Sequence, residues 1–201
     1  MILRKFRLLL VSCLIGLWTF SSQAAEWTMA SGYPKSNFHT QNIIKFIDDV
    51  KSGSSVKINL NPNDTLIKLD AIKTSLQRGQ IPIGEIRFGI YGNEDPMYIL
   101  AGLPFIAPDY ASAWLLKEVK HAYLQEKFNK KGLRILYTSP WPGQGFYTKF
   151  PVNKVSDFNG KKLRIYSTAT QQMGSMLGFN ATILPFAEIP QAFSTGLIEA
   201  D

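Results

Sequence analysis

The chain has 201 residues, 45% of them apolar, with 22 lysines and arginines against 15 acids and a formal net charge of +7. Three of those cations, Arg4, Lys5 and Arg7, lie in the first seven residues, and without them the balance is +4. The remaining charges are scattered, with Lys127, Lys130, Lys131 and Arg134 as the nearest thing to a cluster, which excludes the dense basic stripe of a nucleic-acid binder.

The basic start is followed by an uncharged run from Leu8 to Phe20 and then by small and polar residues to Ala25, with Ser22 and Ala24 spaced as a signal peptidase requires. The apolar run is about 13 residues, short of the roughly 20 that cross a bilayer. Residues 1–24 therefore read as a cleaved export signal, and the expected location is the periplasm. Cys13, the single cysteine, falls inside that signal, so the exported chain has no disulfide and no thiolate metal site. Its roughly 177 residues suffice for one good hydrophobic core or two incomplete ones.

Residues 26–30 read as a strand. Ser36 or Asn37 can cap a helix whose apolar residues Ile43, Ile44, Phe46, Ile47 and Val50 recur at helical spacing, up to Ser52-Gly53-Ser54. Residues 56–60 alternate as a strand with one wet face. A second helix is expected over 66–76, stopped near Gly79, and an apolar strand region over 81–90, interrupted by Glu85 and Arg87. A long helix over 110–128 closes at Lys130-Lys131-Gly132, and 133–138 reads as a strand. This alternation argues an α/β sheet with helices on its faces.

Pro140-Trp141-Pro142-Gly143-Gln144-Gly145 breaks the pattern and reads as a crossing between domains. Beyond it, strands are expected at 146–149, 163–166 and 182–184, with a tight turn at 157–160 and helices at 169–177 and 186–193. Ile198 onward reads as the start of a further strand. The expected organisation is a signal at 1–24, a first lobe at 25–139 and a partial second lobe at 140–201, the sequence being a C-terminally shortened piece. Such a piece should bind ligand poorly and expose apolar edges.

The segment Pro151-Val152 with Val155-Ser156-Asp157-Phe158-Asn159-Gly160-Lys161-Lys162-Leu163-Arg164-Ile165 resembles a motif of the DctP family of TRAP-transporter solute-binding proteins. Leu177-Gly178-Phe179-Asn180, Pro185-Phe186-Ala187-Glu188 and Gln191-Ala192-Phe193-Ser194-Thr195-Gly196 fit that family too, as do Gly102-Leu103-Pro104-Phe105 and Lys131-Gly132-Leu133-Arg134. The resemblance spans residues 26–201. It implies a two-lobe, Venus-flytrap periplasmic-binding-protein fold, with the second lobe incomplete here. It also implies capture of a small organic acid for small and large integral membrane subunits of a secondary transporter, by a monomer without cofactor or metal. A receptor feeding a signalling kinase would look the same.

By that resemblance Arg164 is the residue that pairs with the ligand carboxylate, a role suited to its planar, permanently charged fork. Many relatives have a second arginine near Gln144. The amide here argues against a simple dicarboxylate and leaves room for a monoacid, such as a sugar acid or an aromatic acid. Phe186 matches a position that packs on the ligand, and Trp141 could stack on it or pack at the hinge. Glu85 and Arg87 interrupt an apolar strand near its C-terminal end, where open α/β sheets bind ligands; Asn93 follows closely. Tyr33, Ser31 and Ser167 lie on loops that should face the cleft. No nucleophile elbow and no zinc-binding histidine pair occurs, and no enzyme is expected.

Overall fold

A computed structural model describes residues 25–201. The expected export signal and Cys13 lie outside the described residues.

The first sheet has three parallel strands in the order β2-β1-β3: β1 (Glu26–Ala30), β2 (Lys57–Asn61) and β3 (Ile83–Gly84). Parallel neighbours need crossovers, and two helices supply them. Helix α1 (Phe38–Gly53) joins β1 to β2, and α2 (Ile72–Gln77) joins β2 to β3. Asn37 caps α1 by accepting the His39 N–H at 2.9 Å.

Successive strand residues face opposite sides, and each side takes one helix. Met29, Ile58 and Ile83 pack with Ile43 of α1, while Ala30 packs with Ile72 of α2 and with Ile81. Helix α3 (Tyr110–Asn129), capped by Asp109 and ended near Gly132 at φ 71°, brings Leu124 and Phe128 onto Tyr91 and Tyr98. On the same helix Trp114, Leu115 and Val119 are exposed.

The second sheet pairs β4 (Lys162–Ile165) in parallel with β5 (Asn180–Ile183), joined by α4 (Thr168–Met176). Ala200 bridges Leu163 on one side and Thr148 on the other. Phe158, Leu163, Ile165, Phe179 and Ala200 form its core. Helix α5 (Ile189–Thr195) ends at Gly196 with φ 72°.

Several expected elements are shorter than their sequence pattern. Helix 66–76 begins only at Ile72, because Asp64 accepts the Leu69 N–H at 2.8 Å and holds the preceding residues in turns. Of 81–90 only Ile83–Gly84 is strand. The Glu85 N–H still reaches Ala30 O, but Ser31 then bonds to Asn61 and β1 turns away. Residues 88–91 form a 3-10 turn instead.

Residues 133–138 form no strand. Leu133 and Ile135 pack on the α3 cluster, but the backbone has no ladder partner among the described residues. The strand expected at 146–149 reduces to the bridge at Thr148. The helix expected at 186–193 is a 3-10 turn, Phe186–Glu188, followed by α5, whose first turn holds Pro190.

Candidate functional site

The C-terminal ends of strands from both sheets converge on one cleft, the usual ligand position in open parallel sheets. Ser31 and Tyr33 follow β1, and Glu85 and Arg87 follow β3. From the second sheet, Tyr166 follows β4 and Phe186 follows β5. The irregular crossing brings Trp141 and Gln144 between them.

An aromatic wall lies on one side. Tyr33, only 1% exposed, meets Trp141 edge-on at 5.2 Å between centroids and Phe186 at 5.5 Å. His39 lies 4.4 Å from Trp141, and Phe38 lies 5.3 Å from it. Burial pushes the Tyr33 phenol up to about 12, against the fields of Arg87 and Arg164. Its hydroxyl is buried without a hydrogen-bond partner, as is Nε2 of His39. Burial alone pulls the His39 imidazole down to about 4.

A charged wall faces it. Arg164 occupies the third position of β4, where Leu163 and Ile165 point to the core and Arg164 to the other side. It is 6% exposed. Its Nε donates to Leu184 O at 3.1 Å, and its Nη1 pairs with Asp201 at 3.2 Å. Burial pulls the guanidinium down from its ordinary value; Asp201 opposes that, and Arg87 adds to it. An arginine still stays charged there.

Arg87 donates from Nη2 to Tyr166 O at 2.9 Å, across the gap between the sheets. The two guanidinium carbons lie 4.6 Å (Arg87) and 4.8 Å (Arg164) from the Tyr166 ring centroid. Tyr166 Oη donates to Gln144 Oε1. Nε of Arg87 is buried without a partner. Beside this wall, Ser31 Oγ donates to Glu85 Oε2 at 2.5 Å, and burial pushes the Glu85 carboxyl up while that bond opposes it.

The site therefore gathers eight of the residues anticipated from sequence: Ser31, Tyr33, Glu85, Arg87, Trp141, Gln144, Arg164 and Phe186. Ser167 has a local task. Its hydroxyl caps α4 by accepting the Thr170 N–H at 3.1 Å. Asn93 sits exposed on the turn after the 3-10 segment and takes no part in these contacts.

Tyr166, Asp201 and His39 were missed as site residues. Tyr166 could have been found, since it lies two residues after Arg164 on the same strand face. Asp201 carried no signal beyond the start of a strand. Arg164, expected to pair with a ligand carboxylate, also holds Asp201 through one of its nitrogens.

Residues 29–201 match the family model DctP, described as bacterial extracellular solute-binding protein, family 7. The chain belongs to this family. As a DctP-family chain it resembles a Bordetella pertussis extracytoplasmic solute receptor described as binding pyroglutamic acid. Identity there is 37%, with a TM-score of 0.84, over 88% of this chain and 60% of that one. A marine-metagenome TRAP solute-binding protein described as specific for pyroglutamate is 36% identical, with a TM-score of 0.84, over 89% of this chain and 59% of that one. Among curated proteins, a monocarboxylate 2-oxoacid-binding periplasmic protein from Nostoc is 27% identical over 87% of this chain and 49% of its own length. The DctP chain described here thus spans about half to three-fifths of the relatives it matches. Its fold is the two-lobe α/β fold of TRAP receptors, which are binding proteins and not enzymes.

Proposed function

We propose that this chain is the ligand-capturing part of an exported TRAP-type receptor for a small cyclic monocarboxylic acid, with pyroglutamate as the first ligand to test. The observation that carries the reading is Arg164. It is a buried guanidinium in the cleft, pinned through Nε and one Nη1 bond, with its remaining N–H groups uncommitted among the described residues. Those groups suit one carboxylate. Identities of 36–37% to two receptors described as binding pyroglutamate support the ligand class.

In this reading residues 25–139 and 140–201 belong to the two lobes, and residues 1–24 are removed on export. Tyr33, Trp141 and Phe186 would form the apolar bed of the ring, while Gln144 and Tyr166 would line its polar edge. Ligand bound to Arg164 on one lobe would be covered by Arg87 and Tyr33 from the other, so binding favours closure. The closed form would be delivered to the small and large membrane subunits.

The test is calorimetry on the full-length protein with pyroglutamate, a uronate, a 2-oxoacid and a dicarboxylate, repeated with Arg164→Ala. Two charge-assisted hydrogen bonds contribute on the order of 3 kcal/mol, so the variant should lose about a hundredfold or more in affinity. Undiminished affinity in the variant would sink the assignment.

A further inference from the structure

An arginine pocket alone accepts any small carboxylate, so discrimination must come from elsewhere in the cleft. Glu85 stands at the end of β3, beside Ser31 at the end of β1, so the two are neighbours only because β1 and β3 pair in parallel. Ser31 is fully buried and spends its one hydroxyl proton on Glu85 Oε2. The other oxygen, Oε1, has no hydrogen-bond partner among the described residues, and no cation pairs with this carboxylate. Arg87, two residues on, is committed to Tyr166 O instead. Burial pushes the Tyr33 and Tyr137 phenols up, and the charge of Glu85 adds to both. A half-buried carboxylate with one free oxygen and no counter-charge calls for a donor from outside the chain.

We propose that Glu85, held by Ser31, is a specificity-determining acceptor that reads an N–H or O–H donor on the ligand, while Arg164 takes the ligand's carboxylate. This rests on the acid-binding reading above. The same charge acts against wrong ligands, because a second carboxylate brought near Glu85 meets a like charge, and an acid without a donor leaves Glu85 desolvated and unpaired. The expected class is a monocarboxylate bearing a lactam, amine or hydroxyl hydrogen. The upward pull of burial on the Glu85 carboxyl agrees with its lacking a charged partner.

The experiment compares pyroglutamate with 5-oxotetrahydrofuran-2-carboxylate, which keeps the ring, carbonyl and carboxylate but replaces the N–H by oxygen. Calorimetry on the full-length wild type should favour the lactam by about a hundredfold. Glu85→Leu should lose most of that preference, both by weakening lactam binding and by relieving the lactone of the unpaired carboxylate. Glu85→Gln, which restores an acceptor oxygen, should recover part of the preference. Ser31→Ala should reduce it without abolishing lactone binding, which also covers the case of a leucine variant that fails to fold. Equal wild-type affinity for the two acids, or an undiminished preference in folded Glu85→Leu, would overturn the role of Glu85 while leaving the acid-binding reading intact. A wild type that binds neither acid and holds no other small monocarboxylate overturns both.

Discussion

Acidification should destabilise this protein through His39, and the size of the effect follows from where the ring sits. His39 is 5% exposed, packed against Phe38 at 4.1 Å and Trp141 at 4.4 Å, with Nε2 lacking a partner. Burial holds its pKa at about 4, down from 6.5. In the unfolded chain the ring takes up a proton as pH falls through 6.5, while the folded chain resists until about 4. The neutral ring therefore contributes stability that is complete above pH 6.5 and is lost progressively between 6.5 and 4.

A gap of about 2.5 units, at about 1.36 kcal/mol each, gives roughly 3 kcal/mol. An imidazolium beside the Trp141 ring would return about 1 kcal/mol of that. The net loss should be about 2 kcal/mol, or some 4–8 °C in melting temperature for a chain of this size. Glu85 and Asp64, whose carboxyls are raised by burial, act with the opposite sign and must be cancelled. Comparing wild type with His39→Phe does so, because every other group is common to both. Urea denaturation followed by far-UV circular dichroism at pH 7.5, 6, 5 and 4.5 measures the difference. The wild type should lose stability relative to His39→Phe across that range. Parallel pH profiles for the two proteins would refute the argument.

Two stability predictions concern the second sheet. Leu163 is 2% exposed and central to its core, so Leu163→Ala should cost about 2–4 kcal/mol, read as a lowered urea midpoint with an unchanged slope. Gly178 has φ 83°, and a Cβ there would stand 2.2 Å from Asn159 Oδ1. Gly178→Ala should therefore destabilise by about 1–3 kcal/mol, and Asn159→Gly in the same chain should return part of the loss. A thermal melt of both variants checks this.

Much of the local structure was legible from sequence because its causes are local. The Asn37 cap, the stop at Gly132 and the alternation of strands and helices all depend on residues within a turn or two of each other. Strand ends were less legible. The pattern at 133–138 is that of a strand, but a strand also needs a neighbour, and none of the described residues provides one. Likewise, the apolar run at 81–90 continues past the point where β1 leaves β3, and hydropathy carries no record of that departure.

The candidate site divides in the same way. By itself the sequence determined the residue types, the motif around Arg164 and the expectation that charges ending an apolar strand, Glu85 and Arg87, serve a ligand. Only the tertiary structure decided their partners. Arg87 reaches Tyr166 across 79 positions of chain, Arg164 reaches Asp201 across 37, and Ser31 reaches Glu85 across 54. Gln144, read as the substitute for a second arginine, turns out to hold Tyr166, and the second guanidinium beside that ring comes from Arg87, in the segment after β3. Parallel register sets these meetings, because it brings the C-terminal ends of distant strands to one edge, and the pairing of strands is a property of the folded sheet that no single segment carries.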